Sequence, residues 1–281
     1  MKRILLIILI AASGICLLFY PVASNYIFML NASRATQEYE RIIDAADKEE
    51  LENLLSKAIE YNEELEGNLV HDPFLQGSGM VMAKNHLNVL DINGNGMMGY
   101  IIIPKINLEL PIFQGTSQEI LRNGIGHLEG SSLPIGGETT HSILSGHTGM
   151  SSARLFTDLP KLAIGDEFYL YVLNMTLAYR VDQIKVVEPE DVELFRRISG
   201  EDYCSLITCT PYGVYNLRLV VRGTRVIYDS EMHIAQMESN ESIWGNIFDK
   251  NMLVGVVTGI LVWTILVVIN IIKRRIVKQK G

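Results

Sequence analysis

Three side chains have the types and settings that nucleophilic catalysis needs. Cys209 closes a β-rich run, residues 203–209, and the turn Thr210-Pro211-Tyr212-Gly213 follows it. A thiol at a strand end beside a turn can meet a substrate, whereas a lone cysteine inside a strand is commonly filler. Arg218 interrupts the apolar alternation Leu217-Arg218-Leu219-Val220-Val221 across the hairpin from Cys209. An arginine there must face solvent, pair with a carboxylate or line a cleft. Close to a thiol, a permanent cation favours the thiolate and can hold a developing oxyanion. His147 sits in Ser145-Gly146-His147-Thr148-Gly149, at the end of another β-rich run and flanked by glycines. It is the candidate general acid and base. At pH 7 only about 3% of ordinary thiols and about a quarter of ordinary imidazoles are ionised, so the neighbours of each group matter.

The remaining chemistry-bearing residues carry less. Cys16 lies in an apolar run. Cys204 is five positions from Cys209, so the two point to opposite faces of a strand, and a disulfide would require the strand to break. His127, after Asn123-Gly124-Ile125-Gly126, reads as structural. No histidine–carboxylate set has zinc-ligand spacing, and no metal or cofactor is expected. Asp91-Ile92-Asn93-Gly94-Asn95-Gly96 matches the start of an EF-hand loop, but Ile102 stands where the bidentate acid belongs, so a turn is expected.

The elements that must position these residues are short. Runs at 99–103, 110–113, 141–146, 167–173, 177–187, 203–209 and 215–226 read as strands separated by Gly, Pro and Asp. Their number and turn signals point to a mainly β domain over residues 97–227, an antiparallel barrel or sandwich rather than a parallel sheet. Residues 116–122 and 190–198 read as short helices. Residues 25–67 form a helical region. Within it Asp47 and Glu50 have capping-box spacing, and Leu51, Leu54, Leu55, Ala58, Ile59, Asn62 and Leu65 lie on one face. Residues 68–96 are loop-like, and residues 228–250 are a polar, acidic tether.

The ends are membrane-like. Residues 4–20 are uncharged after Lys2 and Arg3, and residues 1–24 read as an anchor or a signal segment. Residues 251–272 read as a transmembrane helix, because 252–272 carry no charge and are long enough to span a bilayer. The basic tail 273–281 follows. The positive-inside rule puts both basic tips in the cytoplasm and residues 25–250 outside. The chain has 281 residues and a formal charge of −8, and the seven basic residues at its tips leave 17 basic against 32 acidic between them. Such a body is no general nucleic-acid binder, which needs a basic face.

The stretch Leu206-Ile207-Thr208-Cys209-Thr210-Pro211-Tyr212-Gly213, with Arg218 in the next strand and His147 after Ser145-Gly146, resembles the sortase family. Gly126-His127-Leu128-Glu129-Gly130 also reads like a sortase loop. Asp72-Pro73-Phe74, the N-terminal helices and the second membrane helix resemble the pilin-polymerising class C sortases in particular. The resemblance implies an eight-stranded β-barrel and a Leu-Pro-X-Thr-Gly-like sorting signal as substrate, cleaved between Thr and Gly through a thioester on Cys209. It implies His147 as acid and base, Arg218 as oxyanion and substrate clamp, and a lid formed by Asp72 and Phe74, with Gly77 and Gly79 as hinges. Its partners would be pilin subunits and surface proteins bearing such signals, joined to a lysine amine at the outer side of the cell membrane. Three other readings compete: a housekeeping sortase acting on peptidoglycan, plain hydrolysis, and a non-catalytic membrane-tethered binding module.

Overall fold

The structure, a computed structural model, describes residues 2–65, 72, 74, 89–231, 233 and 234; for residues 2–12 and 15–19 it describes the backbone alone. The chain divides into two compact units, Met1–Ser230 and Glu231–Gly281, and the elements below belong to the first.

Helix α1 (Lys2–Ala45) runs through Pro21 without a break at residue 24. Its C-terminal half buries Ala32, Thr36, Tyr39 and Ile43, spaced as one helical face. The Tyr39 hydroxyl donates to the Met98 carbonyl at 3.0 Å and accepts from the Leu173 amide at 2.8 Å. Burial pushes this phenol up to about 12. Helix α2 (Lys48–Glu64) buries Leu51, Ala58, Tyr61 and Asn62, while Ile59 is exposed. Asp47 is its N-cap but makes no side-chain capping bond, so the capping-box expectation fails.

Eight strands close a barrel in the order β1-β2-β3-β4-β7-β8-β6-β5. They are β1 (Met97–Ile103), β2 (Leu108–Gln114), β3 (Ile125–His127), β4 (Thr140–Ser145), β5 (Glu167–Val172), β6 (Met175–Val187), β7 (Asp202–Thr210) and β8 (Leu217–Val226). Most neighbours are antiparallel, as expected, but β2–β3 and β4–β7 pair in parallel. Strand β3 has only three residues, too few for an alternation to show in the sequence. Helix α3 (Gln118–Asn123) lies where a short helix is expected. The second expected helix, 190–198, is reduced to a single 3-10 turn, Glu193–Phe195, because Phe195 is drawn into a buried apolar cluster. Asp91 and Asn95 accept backbone amides in a turn leading into β1, and no group suited to a metal ion occurs among the described residues. Among the described residues no helix is long and apolar enough to cross a membrane; residues 252–272 lie outside them.

Two histidines sit inside the barrel wall, held neutral. His127 Nε2 is 2.9 Å from the Ser132 carbonyl. His141 Nδ1 is 3.1 Å from the Arg196 carbonyl, and its Nε2 is 2.8 Å from Ser205 Oγ. Burial pushes each down to about 4. An unfolded histidine takes up a proton near pH 6.5, whereas these do not until about pH 4. Stability is therefore complete above pH 6.5 and falls as pH drops toward 4. Between pH 7 and pH 5 the loss should be on the order of 2 kcal/mol per histidine. Urea midpoints across this range should show the decline, and His127→Gln should flatten it by about half.

Candidate active site

The register of the β7–β8 hairpin sets Cys209 directly opposite Arg218. Side chains opposite one another in an antiparallel pair share a face, with Cα atoms about 4.5–5.5 Å apart. The thiol and the guanidinium therefore emerge side by side. The third group arrives through β4, which lies parallel to β7 with Ser145 opposite Ile207. The Gly146 amide donates to the Ile207 carbonyl at 3.1 Å, and the Thr208 hydroxyl donates to the Gly146 carbonyl at 2.7 Å. His147 follows Ser145 by the same two residues that separate Cys209 from Ile207, so both leave the sheet at one rim. A Cβ on Gly146 would lie 2.7 Å from the Phe156 ring and 2.8 Å from Ile125, so only glycine brings the chain this close before His147. Gly149 has φ +73, and a Cβ there would strike the Tyr215 hydroxyl.

Asp72 and Phe74 cover this rim. Asp72 Oδ2 is 2.6 Å from Arg218 Nε, and both residues are nearly sealed, at 3% and 6% exposure. The contact is a charge pair rather than an aimed hydrogen bond, since neither atom meets hydrogen-bond geometry. Arg218 Nη1 donates to the carbonyls of Tyr215 and Leu217 at 3.2 and 3.1 Å. Asp72 Oδ1 accepts from the Phe74 amide at 2.7 Å, which fixes the turn between them. The Phe74 ring centroid lies 5.6 Å from that of His147 and 5.2 Å from the Arg218 guanidinium carbon. Phe74 also packs on the apolar cluster of Leu128, Ile143, Phe195, Ile207 and Val220. All five residues singled out in the sequence thus come together. Gly77 and Gly79 lie outside the described residues.

The electrostatics are those of a closed site. Burial pushes the Cys209 thiol up; Arg218 opposes this and Asp72 adds to it. Burial pushes the His147 imidazole down, and the Arg122 guanidinium of α3 adds to that. Both groups are thereby driven toward their neutral forms. Cys204 is fully buried and unpaired with Cys209; both are free thiols. The sequence reading missed Arg122, whose only signal was a position just ahead of a strand too short to recognise.

The sequence and the fold are similar to those of known proteins. The Sortase domain family matches residues 101–226. Sortase D of Bacillus subtilis (strain 168) is 31% identical over 147 residues, 51% of this chain and 71% of that protein. The structure of Streptococcus pneumoniae sortase C, described with regard to catalysis and pilin substrate specificity, superposes with a TM-score of 0.63 at 42% identity, covering 69% of this chain and 97% of that one. Sortase C-1 of Actinomyces oris superposes with a TM-score of 0.61 at 43% identity, covering 64% of this chain and 99% of that one. The chain belongs to the sortase family and, by its structural neighbours, to class C within it. It is a cysteine transpeptidase; sortases act on Leu-Pro-X-Thr-Gly-type surface or pilin substrates.

Asp72→Asn should remove the negative charge that opposes the thiolate. The pKa of Cys209 then falls, so its alkylation at pH 7 should quicken and the midpoint of the alkylation–pH profile should move down. An unmoved midpoint would show that Asp72 does not bear on the thiol.

Proposed function

We propose that this chain is a membrane-anchored pilin-joining transpeptidase in which Cys209, His147 and Arg218 carry the reaction and Asp72 and Phe74 form a lid. The observation that carries the reading is the Cys209–Arg218 pair at one barrel rim, beside the strand end bearing His147 and beneath a carboxylate that neutralises Arg218.

Once the lid leaves, Arg218 loses its carboxylate partner and is free to hold a substrate carbonyl. The Cys209 thiol passes its proton to His147, and the resulting thiolate attacks the carbonyl carbon of the sorting-signal threonine. Arg218 stabilises the oxyanion, the Thr–Gly C–N bond breaks, and His147 gives its proton to the departing glycine amine. A lysine amine of a second subunit then attacks the thioester. His147 takes the proton, the C–S bond breaks, and the thiolate returns. The apolar, uncharged segments 4–20 and 252–272, with basic residues at both tips, support anchoring with the barrel outside the cell.

The cover over the site favours this reading over a housekeeping sortase, since a buried Asp72–Arg218 pair serves an enzyme that is closed at rest. Mass spectrometry after incubation with a Leu-Pro-X-Thr-Gly peptide should find the Leu-Pro-X-Thr acyl group on Cys209 and, with a lysine peptide present, an isopeptide product. Cys209→Ala should capture nothing; a thioester in that variant would reject the assignment. Free Leu-Pro-X-Thr acid despite the lysine peptide would point to hydrolysis, and an intact Cys209 to a binding module. Arg218→Lys should lower acylation about 10²-fold, because a point charge does not reproduce the planar fork.

A further inference from the structure

One buried hydroxyl beside the reacting residues is left without a partner. Ser145 is the last residue of β4 and is fully buried, and among the described residues its Oγ meets no hydrogen-bond partner. Other buried hydroxyls of the barrel and its loops are satisfied. Those of Ser131, Thr140, Ser142 and Thr208 each donate to a carbonyl at 2.7 Å, and Ser205 Oγ is 2.8 Å from His141 Nε2. A buried hydroxyl without a partner weakens the fold, and an alanine in its place would not.

The register shows which face this hydroxyl occupies. Ser145 lies opposite Ile207 of β7, and Ile207 lies opposite Val220 of β8. Residues opposite one another share a face, as do residues two apart along a strand. Ser145 therefore belongs to the face that carries Cys209 and Arg218, one step back from the rim. That is the face Phe74 covers, since its ring packs on the cluster of Ile143, Ile207 and Val220. Neighbouring strands are about 4.8 Å apart and rise about 3.3 Å per residue, so the Cα atoms of Ser145 and Cys209 are roughly 8 Å apart. Strand β7 runs between β4 and β8, so Ser145 and Arg218 flank the thiol from opposite sides. Along this face the neighbours Ile143 and Ile207 are apolar and can neither donate nor accept.

We propose that Ser145 is a specificity-determining residue, whose hydroxyl binds the side-chain hydroxyl of the sorting-signal threonine as that residue is acylated onto Cys209. The inference rests on the reading of the site as one that cleaves after threonine. In a thioester between threonine and Cys209, the threonine side chain stands on the carbon next to the carbonyl bound to sulfur. Arg218 draws the carbonyl oxygen toward β8. The flank toward β4 is left for the side chain, and the end of β4 places the Ser145 hydroxyl there. Threonine then replaces the bond to water that it gives up and satisfies a group unpaired in the resting enzyme. Valine has the same shape but no hydroxyl, so it leaves Ser145 unpaired. A site built around such a bond rejects the analogue that lacks it.

The test compares Leu-Pro-X-Thr-Gly and Leu-Pro-X-Val-Gly peptides as acyl donors to Cys209, read by mass spectrometry as second-order rates on the full chain in detergent. Opening of the cover is common to both peptides and cancels in their ratio. The wild type should favour threonine. Ser145→Ala should slow the threonine peptide about tenfold without slowing the valine peptide, so the preference falls about tenfold. The same variant should have a higher urea midpoint, because it loses a hydroxyl unpaired at rest. Equal slowing of both peptides overturns the proposal, since that is general damage to the site. A lower urea midpoint also overturns it, since the hydroxyl would then be bound at rest. Capture of the threonine peptide with an unchanged preference in Ser145→Ala overturns the role of Ser145 alone. If the wild type captures neither peptide, the reading of the site fails and the role of Ser145 falls with it.

Discussion

The site turns on a buried guanidinium. Arg218 is 6% exposed, and a charge so far from water must be compensated. Among the described residues the barrel side supplies carbonyls, those of Tyr215 and Leu217, while the compensating charge comes from Asp72, outside the barrel. Coverage and charge balance are consequently one variable. On the proposed reading, withdrawing Asp72 would open the rim, leave a cation in want of an anion, and remove the charge that opposes the Cys209 thiolate. On the proposed mechanism, that same cation then awaits the oxyanion. A competent site would be unstable while empty, and the segment that satisfies it in the meantime also shields it.

Topology explains why residues so far apart in sequence share a rim. Strands β4 and β7 run parallel, so their C-terminal ends lie at the same end of the barrel. Strand β8 returns antiparallel from a hairpin, so its first residues lie there too. His147 follows β4, Cys209 is the penultimate residue of β7 and Arg218 is the second residue of β8. No long side chain has to bridge a gap. Register alone sets Cys209 against Arg218, and the backbone bonds from Gly146 to Ile207 and from Thr208 to Gly146 hold the His147 strand end to the Cys209 strand. A slip of one residue between β7 and β8 would send the thiol and the guanidinium to opposite faces.

Parts of this were legible because they are local. A hairpin with Cys209 before its turn and Arg218 after it can be read from alternation alone, and glycines around His147 mark a close approach. Partner choice is not local. Nothing in the periodicity of β4 or β7 says that they pair with each other, or in parallel. Three residues of β3 are too few to show a period, and the helical pattern at 190–198 yields to the burial of Phe195. Asn62 did leave a trace, as a polar residue on an otherwise apolar helical face; its Leu133 bonds are what that anomaly signified. Arg197, which donates to the carbonyls of Asn62 and Leu65 at the end of α2, left none, for an arginine there looks like any surface cation until those carbonyls are known.

The three histidines of the barrel show how one residue type is sorted into structure and chemistry. His127 and His141 lie within strands, where carbonyls and hydroxyls fix one tautomer of a neutral ring. Such a ring cannot cycle a proton without breaking a buried bond, and burial pushes both down to about 4, far from the pH at which an acid–base catalyst operates. His147 stands two residues past the end of its strand. It is only partly buried, touches the Phe74 ring, and among the described residues its own ring is tied to no carbonyl. Its downward shift comes from burial and Arg122. The burial share depends on cover, and Phe74 belongs to the segment proposed to move. Departure of that ring would return the imidazole toward its ordinary range at the same moment that Asp72 ceases to oppose the thiolate. The two groups of the proposed catalytic pair are thus displaced in opposite directions while the rim is covered, and a single movement relaxes both.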